Sequence, residues 1–441
     1  METLPKQDLT INMDNKQNFG EVHTPYSLIE NMFSMLPSTI FSDPNKKWLD
    51  PGAGRGFFSL FLHSKLMNGL STHFPDSHQR SQHILENMIW MVEINQEHLD
   101  SIQQLFSLHS TNKLNLINED FLTCDTLPAF DVVIGNPPFN FGGLKKVPTN
   151  NERNKKMDGR TIWSEFIKHS ISHLKPNGLL LFIVPSIWMK EDKQNMYFYM
   201  TQFKLHKIHC LTNTEMNKYF KGHAQTPSCF FLLEKKSTDK KVLLYDEDID
   251  TYVEFPLRPE NIMPVKCANI ITQILPYVDK YGSLSAMIKS NLAPKKISLS
   301  ATKTKTHTFP NIKTTVLKEK IQPELVIEYS NKPCPFFGKT KLVMAHGMYG
   351  FPYIDHNGAY GISNRDKYIY LSDNIAHLTR LTEFLSTPLA FHLFNATRYR
   401  MKYLEKYIFS YLPNILAMRE DEVTEMINRF DVPKNKYRTI T

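Results

Sequence analysis

The sequence predicts an open, doubly wound α/β sheet followed by a second, mixed α+β domain. Three observations predict it. Short apolar runs of strand length alternate with helical periodicity up to about residue 258. A glycine-rich turn, Gly52-Ala53-Gly54-Arg55-Gly56, falls between the first strand and the helix after it. The β-branched run Val132-Val133-Ile134 stops at a rigid corner, Gly135-Asn136-Pro137-Pro138-Phe139.

Residues 1–18 are rich in Asn, Gln, Asp and Lys and read as a flexible leader. Leu28, Ile29, Met32, Phe33 and Leu36 mark one face of a helix over Tyr26–Leu36, with Thr24 at the N-cap position and Pro25 at the first helical position. Lys46–Asp50 reads as the first strand. The glycine turn then leads into a helix over Phe58–Leu66, and glycine there lets the backbone approach a ligand without a Cβ clash.

Ile89–Glu93 reads as the second strand and ends in an acid suited to the two hydroxyls of a ribose. Glu93 follows Gly54 by 39 residues, against about 20 in a compact unit of this kind. The His-, Ser- and Gln-rich interval Gly69–His83 is therefore expected to be an inserted loop with His73, His78 and His83 solvated. A helix over Gln96–Leu108 and a strand over Leu114–Asn118 precede Asp120-Phe121. That acid could accept from a purine amino group and that ring could cover it, although an Asp after a strand is also a common turn or cap residue.

The corner at Asn136 carries the chemistry. Each proline fixes its own φ and lacks an N–H, which leaves a stiff, carbonyl-rich turn at a strand's C-terminal end, where open α/β sheets bind ligands. The Asn136 amide oxygen and a neighbouring main-chain carbonyl form two acceptors suited to one NH2 group, and Phe139 offers a flat face for a planar ring.

Beyond the corner, Lys145, Lys146, Arg153, Lys155, Lys156 and Arg160 outnumber Glu152 and Asp158, so the loop could clamp phosphates. A helix over Thr161–Leu174 and strands over Leu179–Pro185, Lys204–Thr212 and Cys229–Glu234 continue the alternation. His206 and His209 on one strand, i and i+3, face opposite sides, so no metal site is expected. Residues 289–320 read as an extended basic linker, and Asn357-Gly358 between FPYI and AYGI reads as a hairpin turn. A helix over Ile375–Leu385 and, after Pro388, another over Leu389–Tyr411 follow, the latter carrying a stripe of Tyr399, Tyr403 and Tyr407.

The formal charge of +8 favours a polyanionic partner. Five scattered cysteines without a C-x-x-C pair argue against a disulfide framework and for a reducing compartment. The polar N-terminus has no signal-like apolar core, and no apolar run reaches membrane-spanning length, so a soluble, intracellular protein is expected.

Taken together, these residues resemble the gamma-ordered adenine-N6 DNA methyltransferases, in which cofactor motifs precede the catalytic motif and a DNA-recognition domain follows. The resemblance covers residues 19–236 at motif level and implies a Rossmann-like methyltransferase domain over 19–258, then a target-recognition domain over 259–441. It implies S-adenosyl-L-methionine as cofactor, with Thr24 and Pro25 near its methionine end, Asp50, Gly52, Gly54 and Gly56 around its amino acid portion, Glu93 on its ribose, and Asp120 and Phe121 on its adenine. It further implies Asn136, Pro137, Pro138 and Phe139 as the catalytic tetrad, Phe139 and Phe220 against the substrate base, and no catalytic cysteine or metal. The implied partners are double-stranded DNA and a cognate restriction endonuclease acting on the same site.

Two other readings fit the same corner. RNA bases and protein glutamine present the same NH2 geometry, although the domain after residue 258 and the basic loops favour DNA. A catalytically silent DNA-binding specificity subunit could share the fold, although intact Asn136, Asp120 and Gly52/Gly54 argue against lost activity. No Asp…Glu-x-Lys strand pair of a fused nuclease stands out.

Overall fold

Parallel pairing of three strands sets the frame of the first part of the chain. In the computed structural model, β1 (Trp48–Asp50) lies between β2 (Ile89–Val92) and β4 (Phe130–Gly135), parallel to both. β3 (Asn115–Ile117) extends the sheet beyond β2, and β5 (Leu174–Pro185) extends it beyond β4. Beyond β5 run the antiparallel β7 (Ser228–Ser237), then β6 (Phe203–Leu211), β8 (Lys241–Asp246) and β9 (Thr251–Pro256), giving the order β3-β2-β1-β4-β5-β7-β6-β8-β9. The doubly wound sheet read from the sequence is therefore present.

β1 and β4 are covered on both faces: Trp48, Leu49, Phe130, Val132, Val133 and Ile134 are all fully buried, as continuous apolar strands of a parallel sheet require. From β1 the chain winds outward through β2 to β3, then returns to place β4 on the other side of β1. That reversal opens a crevice beyond the carboxyl ends of the two strands, the usual ligand position in such sheets. Asp50 and Gly135 are the last residues of β1 and β4.

The structure describes residues 23–107, 114–141, 160–192, 194–222, 224, 226–258, 262–290, 296–318, 322–345, 351–363, 367–399 and 404–432. Helix α1 (Tyr26–Phe33) buries Leu28, Ile29, Met32 and Phe33. Helix α2 (Phe57–Gly69) starts on Gly56 at φ +80°, where a Cβ would stand 3.1 Å from Ile102 Cγ1 of helix α4 (Gln96–Phe106). Glycine there meets both the left-handed backbone and the close packing.

The second half of the interval expected to be an inserted loop is helix: α3 (Ser77–Asn87) is capped by Asp76, whose carboxylate accepts from Gln79 N–H (2.8 Å). Ser81, Ile84 and Leu85 form its buried face. His83 is half-buried rather than solvated, stacked on Phe74 at 4.5 Å with Nε2 2.9 Å from Pro44 O. Its polar composition hides a short amphipathic stripe under a good N-cap. Helices α5 (Trp163–His173), α6 (Met196–Met200) and α7 (Asn213–Tyr219) complete this part. His206 bonds Glu234 and His209 stacks between Phe230 and Tyr245, so each has a separate structural partner.

The chain divides into two units: one runs through Tyr245 and takes in Glu254–Glu260, the other comprises Asp246–Val253 and Asn261–Thr441. The second unit contains helix α8 (Ala268–Tyr281) and two four-stranded sheets. One sheet orders β10 (Ile288–Lys289), β17 (Lys367–Leu371), β14 (Lys341–Ala345) and β15 (Tyr353–Asp355); the other orders β11 (Leu299–Ser300), β13 (Gln322–Ser330), β12 (Phe309–Lys318) and β16 (Gly361–Ile362). Much of the basic stretch read as a linker is therefore strand, with β12 and β13 paired along nearly their whole length.

The expected Asn357-Gly358 hairpin is also corrected. β15 pairs with β14, β16 runs parallel to β12, and the turn rests on Gly338, whose N–H donates to Gly358 O (2.8 Å). The dipeptide makes a turn, but the strands on either side find partners elsewhere. Helices α9 (Ile375–Leu385), α10 (Pro388–Leu393) and α11 (Glu420–Asn428) finish the unit. Because α10 stops at Leu393, the tyrosines share no continuous helix: Tyr399 is buried with its hydroxyl on Met263 O, and Tyr403 lies outside the described residues. No helix among the described residues is long and apolar enough to cross a membrane.

Candidate active site

The glycine turn after β1 and the proline corner after β4 meet at the mouth of the crevice. A Cβ at Gly52 would stand 3.8 Å from Pro138 Cδ, and one at Gly135 would stand 3.3 Å from Asp50 Oδ1 and 3.7 Å from Pro51 Cδ. Beyond Gly54, at φ +54°, nothing lies within 4 Å of a Cβ position, so its backbone faces open space. Pro137 is buried, while Asn136, Pro138 and Phe139 are half-buried and Phe141 is exposed.

Asn136 is held from outside the corner. Its amide Nδ2 donates to Thr24 Oγ1 at 3.1 Å. Thr24 is buried and is not the cap of α1; Pro25 occupies that position, and no side chain caps the helix. Pro25 therefore fixes the entry to α1 while Thr24 turns its hydroxyl to the corner. With one amide hydrogen occupied in this way, the orientation of the Asn136 side chain is set.

Asp50 lies beneath the glycine turn, 2% exposed, with Oδ2 accepting from Ser59 Oγ (3.0 Å). Its Oδ1 is buried with no hydrogen-bond partner among the described residues. Burial, with the nearby Glu93 carboxylate adding to it, pushes the Asp50 carboxyl up to about 7 against the opposing pull of Ser59 and the Gly52 N–H. A buried acceptor lacking a donor suits a cationic group.

Glu93 is almost buried and braces the turn from the other side: Oε2 accepts from Gly54 N–H (2.8 Å) and Oε1 from Asn95 N–H (2.9 Å). Beside it, Ile94 is 54% exposed, and Asn118 Nδ2 donates to the carbonyls of Glu93 (3.2 Å) and Ile94 (3.3 Å). An acid with an exposed apolar neighbour gives this strand end one polar and one greasy surface. The sequence reading identified the acid and passed over Ile94, Ser59 and Asn118, because a lone Ile, Ser or Asn after a strand carries no motif.

Asp120 caps the short 3-10 turn Phe121–Thr123 through Leu122 N–H (3.0 Å). Phe121, the other expected adenine contact, is 2% exposed and packs against Phe166, His169 and His173. Phe220 ends α7 and is 5% exposed, so its ring too is mostly covered. Lys145, Lys146, Arg153, Lys155 and Lys156 lie outside the described residues. The chain on either side of them is joined by Phe141 N–H to Arg160 O (2.7 Å) and Ile162 N–H to Phe139 O (3.1 Å).

Parts of the chain are similar to known proteins. An uncharacterized adenine-specific methylase of Mycoplasma pneumoniae is 32% identical over 90 residues, 20% of this chain and 21% of that protein. The Type II methyltransferase M.AccI of Acinetobacter calcoaceticus is 22% identical over 191 residues, 42% of this chain and 31% of that protein. The aligned part thus spans about a fifth to a third of the length of these curated relatives. Among solved structures, the M protein of the Type I restriction enzyme EcoKI is 20% identical, with a TM-score of 0.37 over 51% of this chain and 48% of that one. Residues 53–220, which hold Gly54 and Gly56 of the glycine turn, Glu93, Asp120 and the Asn136 corner, match the Eco57I restriction-modification methylase family, and the methylase resemblance read from the motifs holds over that region.

Proposed function

We propose that the protein is a site-specific DNA methyltransferase that moves a methyl group from S-adenosyl-L-methionine to the N6 amino group of a flipped-out adenine. The observation that carries the reading is the meeting of two turns at the sheet's switch point: an Asn136 amide tied to Thr24 stands beside a glycine turn laid over Asp50.

The residues fit the cofactor. The unpartnered Asp50 Oδ1 and the open space at Gly54 suit a positively charged amino acid portion approaching the backbone of Gly52, Gly54 and Gly56. Glu93 would hold the ribose, with Ile94 an apolar face beside it, and Asp120 would accept from the adenine amino group. Bound there, S-adenosyl-L-methionine supplies an electrophilic sulfonium methyl.

An adenine amino nitrogen is a weak nucleophile because its lone pair is delocalised into the ring. The Asn136 Oδ1, with Nδ2 held by Thr24, and the Pro137 carbonyl would each accept one N6 hydrogen. Two acceptors at fixed positions favour a pyramidal nitrogen and stabilise the positive charge that grows on it. The rigid prolines keep both acceptors in place without reorganisation, so positioning supplies much of the rate. Phe139, half-buried at the corner, would stack on the extruded base, since no base inside a duplex can reach this position.

In the same reading, the second unit and the basic residues Lys145 to Lys156 hold the DNA backbone and read the target. A cognate restriction endonuclease would share that target. The test presents DNA, RNA and a glutamine-bearing protein to the purified chain with methyl-labelled cofactor: label is expected in duplex DNA as N6-methyladenine, and label confined to RNA or protein contradicts the proposal.

A further inference from the structure

Three side chains of the second unit converge from separate elements. Asp248 lies in the turn between β8 and β9, Cys267 is the residue on which α8 begins, and His392 lies in the last turn of α10. His392 Nε2 and Asp248 Oδ2 are 2.7 Å apart. One donor atom from each of the three residues lies within 4.8 Å of the other two, and no other such group of His, Cys, Asp and Glu occurs among the described residues.

The surroundings favour a cation. Asp246, fully buried, braces the turn that carries Asp248: its Oδ1 accepts from Asp248 N–H (3.0 Å) and its Oδ2 from Asn269 N–H (2.7 Å). Cys267 is buried, and its thiol donates to the main-chain carbonyl of His392 (3.8 Å), the residue whose imidazole completes the group. A bound metal displaces the thiol proton.

One thiolate, one imidazole and one carboxylate form a donor set typical of zinc, with water in the fourth position. Tetrahedral bonds of about 2.0–2.3 Å set the donors roughly 3.3–3.6 Å apart. The Asp248–His392 pair would open slightly, and the Cys267 thiol would exchange its contact with the His392 carbonyl for the ion. We propose that the second unit binds one zinc ion through Asp248 Oδ2, Cys267 Sγ and His392 Nε2. The ion takes the place of the Cys267 thiol proton and of any proton held between Asp248 and His392, and the two anionic donors balance its charge. It joins a turn and two helices, a structural role independent of methyl transfer.

The test uses the full chain, stripped by a chelator and titrated with zinc and, separately, with cobalt(II). One equivalent of zinc is expected to bind and raise the unfolding temperature, and cobalt is expected to give a thiolate charge-transfer band in the near ultraviolet. Cys267→Ser should abolish that band. Asp248→Asn, in an exposed turn, keeps a similar side-chain shape and should weaken zinc binding by more than the about 10–100-fold that loss of an outer-shell partner costs, with circular dichroism checking that the variant is folded. Absence of a thiolate band in the wild-type chain, or zinc affinity unchanged in both variants, overturns the proposal.

Discussion

Asn136 and Thr24, 112 residues apart in the chain, are joined by a hydrogen bond of 3.1 Å from Nδ2 to Oγ1. The bond links the entry to α1 with the corner after β4 and leaves Oδ1 as the acceptor available to a substrate. Thr24→Val removes the anchor and keeps the side chain's approximate shape. The turnover rate is expected to fall by about 10–100-fold, the scale of a misplacement near 1 Å, with cofactor affinity little changed and Thr24→Ser retaining most of the rate. Single-turnover kinetics beside equilibrium cofactor binding separate the two effects.

In the proposed site, cofactor binding is expected to depend on pH through Asp50. Burial pushes its carboxyl up to about 7, and a cationic ligand selects the carboxylate. Affinity should therefore hold above pH 7 and weaken about tenfold per unit below it, with Asp50→Asn flattening the profile. Stability moves oppositely. The raised value means that Asp50 favours the fold below its ordinary range, and that contribution is lost as pH rises through about 7. Asp50→Asn should then melt higher than wild type at pH 8 while binding cofactor less well, as calorimetry at two pH values would show.

Gly54 separates folding from ligand approach. Alanine there meets nothing within 4 Å but must adopt φ +54°, a cost of about 1–2 kcal/mol. Gly54→Ala should remain folded by circular dichroism, with the added methyl group projecting where the cofactor is expected and its affinity sharply reduced. Unchanged affinity would remove the glycine turn from the binding surface.

Asp131 tests the frame away from the crevice. Its Oδ2 accepts from Lys47 N–H (2.9 Å) and Lys175 Nζ (2.7 Å), and its Oδ1 from Lys46 Nζ (3.3 Å), tying β4 to the lead-in of β1 and to β5. Burial pushes its carboxyl up, but Lys175, the Lys47 N–H and Lys46 together hold it below the ordinary value. Its stabilisation is present above the unfolded value and lost as pH falls through the folded one. Asp131→Asn should cost about 1–3 kcal/mol near neutral pH and much less in acid, leaving cofactor affinity per folded molecule intact. Denaturant melts at two pH values check both.

The first unit was readable because its strands are buried on both faces and its turns need glycine or proline: Val132–Ile134, Gly52–Gly56 and Pro137-Pro138 each have a local cause. What escaped depended on distant partners. Thr24 looks like a cap until Asn136 is found beside it, and the packing of Phe121 on Phe166 and His169 appears only once the helix bearing them is placed. The strands around Asn357-Gly358 join different sheets, which no local turn signal reveals. Asp248 and His392 stand 144 residues apart, beyond any ligand spacing a motif could encode.

The most direct measurement uses Asn136→Ala. Equilibrium binding of S-adenosyl-L-methionine and incorporation of labelled methyl into unmethylated duplex DNA are followed on one preparation. Cofactor affinity near that of wild type with loss of N6-methyladenine formation is the predicted result; methyl transfer at the wild-type rate without the Asn136 amide would contradict the account.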